Sequence, residues 1–111
     1  MSPTGFLIRV TAATLTMTCC GAASSSADDV LAYGEYLAAE CTTCHKPQFG
    51  AGLIPPIEGL PEEYFQQAMR SYQSGERANA VMANVAKSLG EDEISALARY
   101  FNQLGRMEAK Q

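Results

Sequence analysis

The sequence predicts an all-α protein. Three segments of this 111-residue chain place apolar residues at helical spacing, Gly and Pro cluster between these segments, and no segment is typical of a strand. The length indicates one domain, and there is no internal repeat. We therefore expect three main helices and a short fourth helix, separated by loops.

The first 27 residues are typical of an export signal. Arg9 is their only charge, residues 10–17 form a short apolar or Thr-rich stretch, and Ser25-Ser26-Ala27 supplies small residues before a cleavage point. The apolar stretch is too short to span a bilayer, so stable membrane insertion is not expected. We expect a cleaved signal peptide (1–27), a periplasmic location and one domain at residues 28–111. Cys19 and Cys20 are interpreted as small apolar residues of the signal.

The first helix is expected to start at a cap, Asp28 or Asp29, and to end near Lys46-Pro47. Its periodic residues are Val30, Leu31, Tyr33, Gly34, Leu37, Ala38 and Cys41. Residues 48–60 are rich in Gly and Pro, which predicts a loop. We expect this loop to be ordered, because four of its residues are apolar and can pack against the rest of the protein. These four are Phe49, Leu53, Ile54 and Ile57.

A second helix is predicted from Pro61, in the first turn, to Ser74, with Gly75 as its stop. One face carries Tyr64, Phe65, Ala68, Met69 and Tyr72. A short helix is predicted over residues 84–88, after a less regular stretch. The last helix should begin at Gly90 or Glu91 and stop before Gly105. Its core stripe is Ile94, Leu97, Ala98, Phe101 and Leu104.

The first helix ends in the run Cys41-Thr42-Thr43-Cys44-His45. This C-x-x-C-H pattern indicates a site for covalent attachment of haem c. Cys41 and Cys44 can each add to one vinyl group of the haem, and His45 can bind the iron as the proximal ligand. A large apolar haem would also stabilise so small a domain, and the haem-free chain should be poorly folded.

Two other interpretations of the motif fit less well. A thioredoxin-like dithiol needs a βαβ setting, whereas helix formers precede this motif and no strand run is near it. A zinc site needs a second pair of ligands, but His45 is the only histidine of the chain, and only Cys41 and Cys44 follow the signal.

The sixth iron ligand has several candidates. Met69 lies in the apolar stripe of the second helix, where methionine usually fills core, and Met107 is expected in a polar tail. Met82 has room to reach the far side of the haem and is favoured. Lys87 is a weaker alternative. A second function class also stays open, in which an unligated sixth position binds a gas or activates peroxide, although the chain lacks a second histidine for that chemistry.

The charge pattern excludes nucleic acid as a partner. Beyond residue 27 the chain carries seven Lys or Arg and twelve Asp or Glu. The acids are spread along the chain and indicate a solvated surface, which would favour a redox partner with a basic face.

Residues 30–104 resemble a class I monohaem cytochrome c. Gly34 and Leu37 match the part of that family's first helix that crosses the last helix, and Leu97, Tyr100 and Phe101 match the other side. The resemblance implies the class I cytochrome c fold around one covalent haem. It also implies that a carbonyl of Ile54-Pro55-Pro56 accepts a hydrogen bond from the His45 ring.

More narrowly, Ile54-Pro55-Pro56-Ile57, Gly59-Leu60-Pro61, Gly75-Glu76-Arg77 and the stretch 81–87 resemble the haem subunit of flavocytochrome c sulfide dehydrogenase and small c553-type cytochromes. This resemblance implies His45 and Met82 as the metal ligands and a flavoprotein sulfide dehydrogenase subunit as the redox partner. The expected function is periplasmic electron transfer, with no catalytic residue and no flavin site in this chain.

Overall fold

A computed structural model describes residues 26–46 and 52–111. It contains four helices, α1 (Ser26–Cys44), α2 (Glu62–Ser74), α3 (Ala80–Lys87) and α4 (Glu91–Glu108), and these ranges contain no strand. The predicted all-α class, with three long helices and a short one, is confirmed. Most of the predicted signal (1–25), the predicted helix end at Pro47 and the packing of Phe49 lie outside the described residues.

The start of α1 differs from the prediction. Asp28 and Asp29 lie inside the first turn instead of preceding it. Both carboxylates still face the positive end of the helix dipole, which stabilises this end. At the other end, His45 N donates to Cys41 O over 2.9 Å, so the helical hydrogen bonding continues up to the histidine.

The bounds of α2 agree with the prediction to within one residue. Pro61 is the residue before the helix and has a φ of −55°, which suits a helix start. Gly75 ends the helix with a φ of +82°, and its N–H donates to Tyr72 O. This left-handed conformation favours glycine, which explains why the stop was readable from the sequence.

Helix α3 is longer than predicted. It begins at Ala80 because the Asn79 side chain accepts a hydrogen bond from Met82 N over 2.9 Å. The predicted irregular stretch around Met82 was therefore wrong. Asparagine is a strong N-cap residue, and Asn79 was the available signal.

Helix α4 also continues further than predicted. It passes through Gly105 and ends at Glu108. Gly105 is therefore not a stop; it lies inside the helix, at a point where a Cβ would collide with the backbone of Gly59. Met107 consequently lies in the last turn of α4 and is half exposed, so the polar tail predicted for it was wrong. At the helix start, Gly90 is the cap, and its N–H donates to Glu93 Oε2 over 2.8 Å.

Each helix packs on the next one in the spatial order α1, α4, α2, α3. Helix α1 packs on α4, α4 packs on α2, and α2 packs on α3. The core contains Ala38, Ile57, Phe65, Met69, Ala86, Ile94, Leu97, Ala98 and Phe101. Its centre is the stacked pair Phe65 and Phe101, whose ring centroids lie 5.8 Å apart. Of the predicted loop residues, Ile57 is buried, whereas Leu53 and Ile54 are exposed.

Helix α1 crosses α4 at Gly34. A Cβ on Gly34 would collide with the Ala96 carbonyl oxygen and would lie 2.8 Å from Tyr100 Cβ. The predicted crossing is confirmed at Gly34 and Tyr100, although the nearest atoms of α4 belong to Ala96. The same seam carries a hydrogen bond of 3.1 Å from the Tyr33 hydroxyl to Glu93 Oε1, which raises the pKa of Tyr33.

We predict that Gly34→Ala destabilises the protein by about 1–3 kcal/mol, because the added methyl meets backbone and cannot be accommodated by a rotamer change. Helix propensity alone predicts the opposite sign, a gain of roughly 1 kcal/mol. Urea unfolding of the wild type and the variant measures the difference. An increase in stability would contradict the close crossing.

Candidate functional site

The two cysteines of the C-x-x-C-H motif lie in the last turn of α1. Cys41 is partly buried and packs against the core, whereas Cys44 is exposed. Both are free thiols. Residues three apart on a helix share a face, so both sulfur atoms are available on one side of α1.

Burial raises the pKa of the Cys41 thiol, because the charged thiolate loses solvation in this partly buried position. Within residues 26–46 and 52–111, no three His, Cys, Asp or Glu side chains come together in a group that could hold a metal ion.

The ring of His45 is held in one orientation. Its Nδ1 lies 2.7 Å from the carbonyl oxygen of Pro55. A carbonyl oxygen only accepts, so Nδ1 carries a proton, and in the neutral form of the ring the lone pair is on Nε2. This is the tautomer of a metal-binding histidine whose other nitrogen is fixed by a carbonyl. The expected bond to the Ile54-Pro55-Pro56 stretch is confirmed.

The loop that carries Pro55 is anchored to α4. Gly59 N donates to Phe101 O over 2.9 Å, and Asn102 Nδ2 donates to Leu60 O over 2.9 Å. Gly59 has a φ of +77° and packs against Gly105. Helix α4 thus positions the hydrogen-bond partner of His45 through contacts that span more than 40 residues of sequence.

Sequence reasoning missed the roles of Asn102 and Gly105. An exposed-looking Asn inside a helix carries no local signal for a distant carbonyl. Gly105 did carry a signal, but the signal was interpreted as a helix stop instead of a close backbone approach.

The methionine candidates occupy different environments. Met69 is buried in the core with 5% of its surface exposed, as predicted for a packing residue, and Met107 is 54% exposed. Met82 lies in the first turn of α3, partly buried against the core. Lys87 is exposed in the last turn of α3. In the described part of the chain, α1 and α3 do not contact each other.

Exposed apolar side chains flank both candidate ligands. Leu53 and Ile54 precede the carbonyl of Pro55, and Val81 and Val85 lie one turn apart on α3, beside Met82 in sequence. Leu53 is fully exposed. Free thiols, a neutral imidazole, a thioether and bare apolar surface together fit a haem, which has an apolar macrocycle and an iron that accepts nitrogen and sulfur ligands.

Two open grooves lie elsewhere, between the start of α1 and the end of α4. Their volumes are about 440 and 400 Å³, and Leu31 and Met107 line both. Neither groove includes a cysteine or His45. No described helix combines the length and the hydropathy that a bilayer span requires.

Comparison with known proteins finds relatives among small cytochromes. The cytochrome subunit of sulfide dehydrogenase from Chlorobaculum tepidum is 34% identical over 74 residues, which are 66% of this chain and 67% of the relative. Cytochrome c-553 from Helicobacter pylori is 30% identical over 71 residues, which are 61% of this chain and 74% of the relative.

A thiosulfate dehydrogenase electron acceptor from Thiomonas intermedia is 39% identical over 74 residues, which are 60% of this chain. The match spans only about a third, 32%, of that relative's length. No protein-family model matches the chain.

We predict that Gly105→Ala displaces the anchored loop, because a Cβ at this position would meet Gly59 Cα and lie 2.5 Å from Gly59 N. The expected results are a loss of about 1–3 kcal/mol of stability and faster exchange of the His45 Nδ1 proton with water. Urea unfolding and NMR of the ring proton measure them.

Gln103→Ala is the matched control for this prediction, since Gln103 is exposed on α4 and should leave both quantities unchanged. A Gly105→Ala protein with the stability and the proton exchange of the wild type would contradict the anchoring role.

Proposed function

Because the chain belongs to the class I cytochromes c, which are electron carriers, we propose that it binds one haem c covalently through Cys41 and Cys44, with His45 and Met82 as axial ligands. The observation that carries this proposal is the hydrogen bond of 2.7 Å between His45 Nδ1 and Pro55 O. It leaves Nε2 as the ligating atom of a histidine that directly follows the two free thiols.

The haem supplies a one-electron couple between ferric and ferrous iron. Cys41 and Cys44 would hold the haem to the end of α1 by thioether bonds, so the group would not be lost from the protein. The Pro55 carbonyl orients the imidazole of His45 and raises its basicity. The neutral sulfur of Met82 raises the reduction potential. Leu53, Ile54, Val81 and Val85 are the apolar side chains that would cover the macrocycle and exclude water.

The proposed carrier is the domain at residues 28–111, which residues 1–27 direct to the periplasm before they are removed. Its electron donor is proposed to be a dehydrogenase of inorganic sulfur compounds. The name of one relative refers to sulfide dehydrogenase and that of another to thiosulfate dehydrogenase. A flavoprotein that oxidises sulfide is the donor favoured by the narrower sequence resemblance.

With seven Lys or Arg and twelve Asp or Glu, residues 28–111 carry a net charge of −5, which suits a partner with a basic docking face. Opposite charges on the two proteins would speed encounter more than they strengthen the complex. Such transient redox contacts bury little surface, which permits rapid release after electron transfer.

We predict that Met82→Ala removes the weak red charge-transfer band of the ferric protein, because that band reports sulfur ligation. Absorption spectra of the oxidised and reduced holoprotein measure the change. Met107→Ala is the control, since Met107 is an exposed methionine on α4 and should keep the band.

A wild-type spectrum that is already high-spin, with ready binding of carbon monoxide, would overturn methionine ligation. It would instead support an open sixth position, and hence gas binding or peroxide chemistry.

We predict that the double variant Cys41→Ala/Cys44→Ala loses covalent haem, because both attachment points are removed. Haem staining after denaturing electrophoresis and intact mass measure attachment. The wild type should retain one haem per chain, and each single variant should retain haem through the other thioether. Haem that leaves the denatured wild-type chain would contradict the proposed attachment.

A further inference from the structure

We propose that Asn79 and Gln73 are positioning residues for Met82, because their amide side chains hold the two ends of α3. This inference rests on the proposed function, in which Met82 is an axial ligand. Neither amide needs to touch the iron or its ligands. Each would act by keeping the short helix formed and in place, so that the Met82 thioether is presented in one position.

Helix α3 depends on such support because it is short and weakly attached. Its eight residues, Ala80–Lys87, fall below the length at which an isolated helix is stable in water. Among the described helices, only α2 comes within 8 Å of it between Cα atoms. Its single buried residue is Ala86. Packing area alone therefore stabilises α3 little, and its terminal hydrogen bonds carry more weight.

The N-terminal hydrogen bond involves Met82 itself. Asn79 Oδ1 accepts from Met82 N over 2.9 Å, while Asn79 O accepts from Ala83 N over 2.8 Å. Asn79 has the extended backbone of an N-cap, with a φ of −160° and a ψ of 113°. Loss of this cap would let the first turn fray, and the first turn is the one that carries Met82.

The C-terminal hydrogen bonds come from a different helix. Gln73 on α2 donates from Nε2 to Ala86 O over 2.8 Å and to Leu89 O over 3.1 Å. The last carbonyls of a helix lack partners within it, and this one amide satisfies two acceptors. Ala86 is fully buried, and its carbonyl also accepts a hydrogen bond from Leu89 N over 3.2 Å, so loss of Gln73 removes the shorter of its two hydrogen bonds. Water cannot easily replace a hydrogen bond lost at a buried carbonyl, so this loss costs more than one at an exposed carbonyl.

The two positions are independent in sequence and act on opposite ends of one element. Gln73 attaches the C-terminal end of α3 to α2. Asn79 caps the N-terminal end of α3, in the turn that contains Met82. Without either, the population in which Met82 has left its position should grow. An added ligand that competes with Met82 binds only that population, so its apparent affinity reports the size of the population.

The experiment titrates the oxidised holoprotein with imidazole and compares Gln73→Leu and Asn79→Ala with the wild type. We expect imidazole to bind roughly tenfold more tightly to Gln73→Leu and several-fold more tightly to Asn79→Ala, from the hydrogen bonds lost. Hydrogen exchange of the Met82 amide should accelerate in both variants, which gives a readout independent of the iron.

Matched controls separate positioning from general loss of stability. Gln67→Leu makes the same substitution at an exposed site of α2, and Asn84→Ala removes an exposed amide in the middle of α3. Both should bind imidazole like the wild type. Asn79→Asp keeps a capping oxygen and should restore wild-type binding and exchange. If Gln73→Leu does not fold, the Asn79 series decides the test.

The outcomes distinguish this inference from the proposal on which it rests. If Met82→Ala binds imidazole more tightly than the wild type but Gln73→Leu and Asn79→Ala do not, the positioning roles are overturned and Met82 ligation stands. If Met82→Ala binds imidazole like the wild type, Met82 is not the competing ligand and both proposals fail. Tighter binding in both amide variants, with rescue by Asn79→Asp, supports the inference.

Discussion

The contact between α1 and α4 at Gly34 is the constraint on which the site depends. The two backbones approach so closely that a single Cβ cannot be inserted. Ten residues separate Gly34 from Cys44, which is about 15 Å along a rigid helix. The crossing therefore sets where Cys41, Cys44 and His45 are placed, because a small rotation at Gly34 becomes a large displacement at the end of α1. Helix α4 in turn holds the loop of Pro55, so the same helix places both His45 and its hydrogen-bond partner.

The proposed axial ligands belong to different halves of the molecule. The position of His45 depends on α4, which packs on α1 and anchors the loop of Pro55. Met82 lies in α3, which packs on α2. The halves meet where α2 packs on α4 through Phe65 and Phe101. The ion pair of Arg70 and Glu91 also joins α2 to α4 over 2.7 Å, and it lowers the pKa of Glu91, but both side chains are more than half exposed. Such pairs contribute little, so the two helices are held together mainly by buried apolar contacts, the two aromatic rings among them. A group bound between the half formed by α1 and α4 and the half formed by α2 and α3 would connect them a second time, in addition to the contact of α2 with α4. This second connection would stabilise a protein whose own core is small.

Sequence reasoning succeeded where the physical cause was local. The C-x-x-C-H motif is five consecutive residues, and the left-handed turn at Gly75 needs glycine whatever surrounds it. It failed where a residue acts on a distant partner. Gly105 has the signature of a helix stop, yet α4 continues to Glu108, and the backbone of Gly59 occupies the space where a side chain at position 105 would be.

The amino-acid sequence by itself determined the all-α class, the limits of α2 and the identity of the candidate haem attachment residues. Each of these follows from periodicity, from backbone preference or from a short motif matched to known chemistry, whereas the crossing at Gly34 was implied by the resemblance to class I cytochromes c. Only the tertiary structure decided which carbonyl fixes His45, that α4 anchors the loop of Pro55, and that Met82 begins a capped helix held by Gln73. These are hydrogen bonds and backbone contacts between distant segments, and local propensities do not encode which distant segments meet.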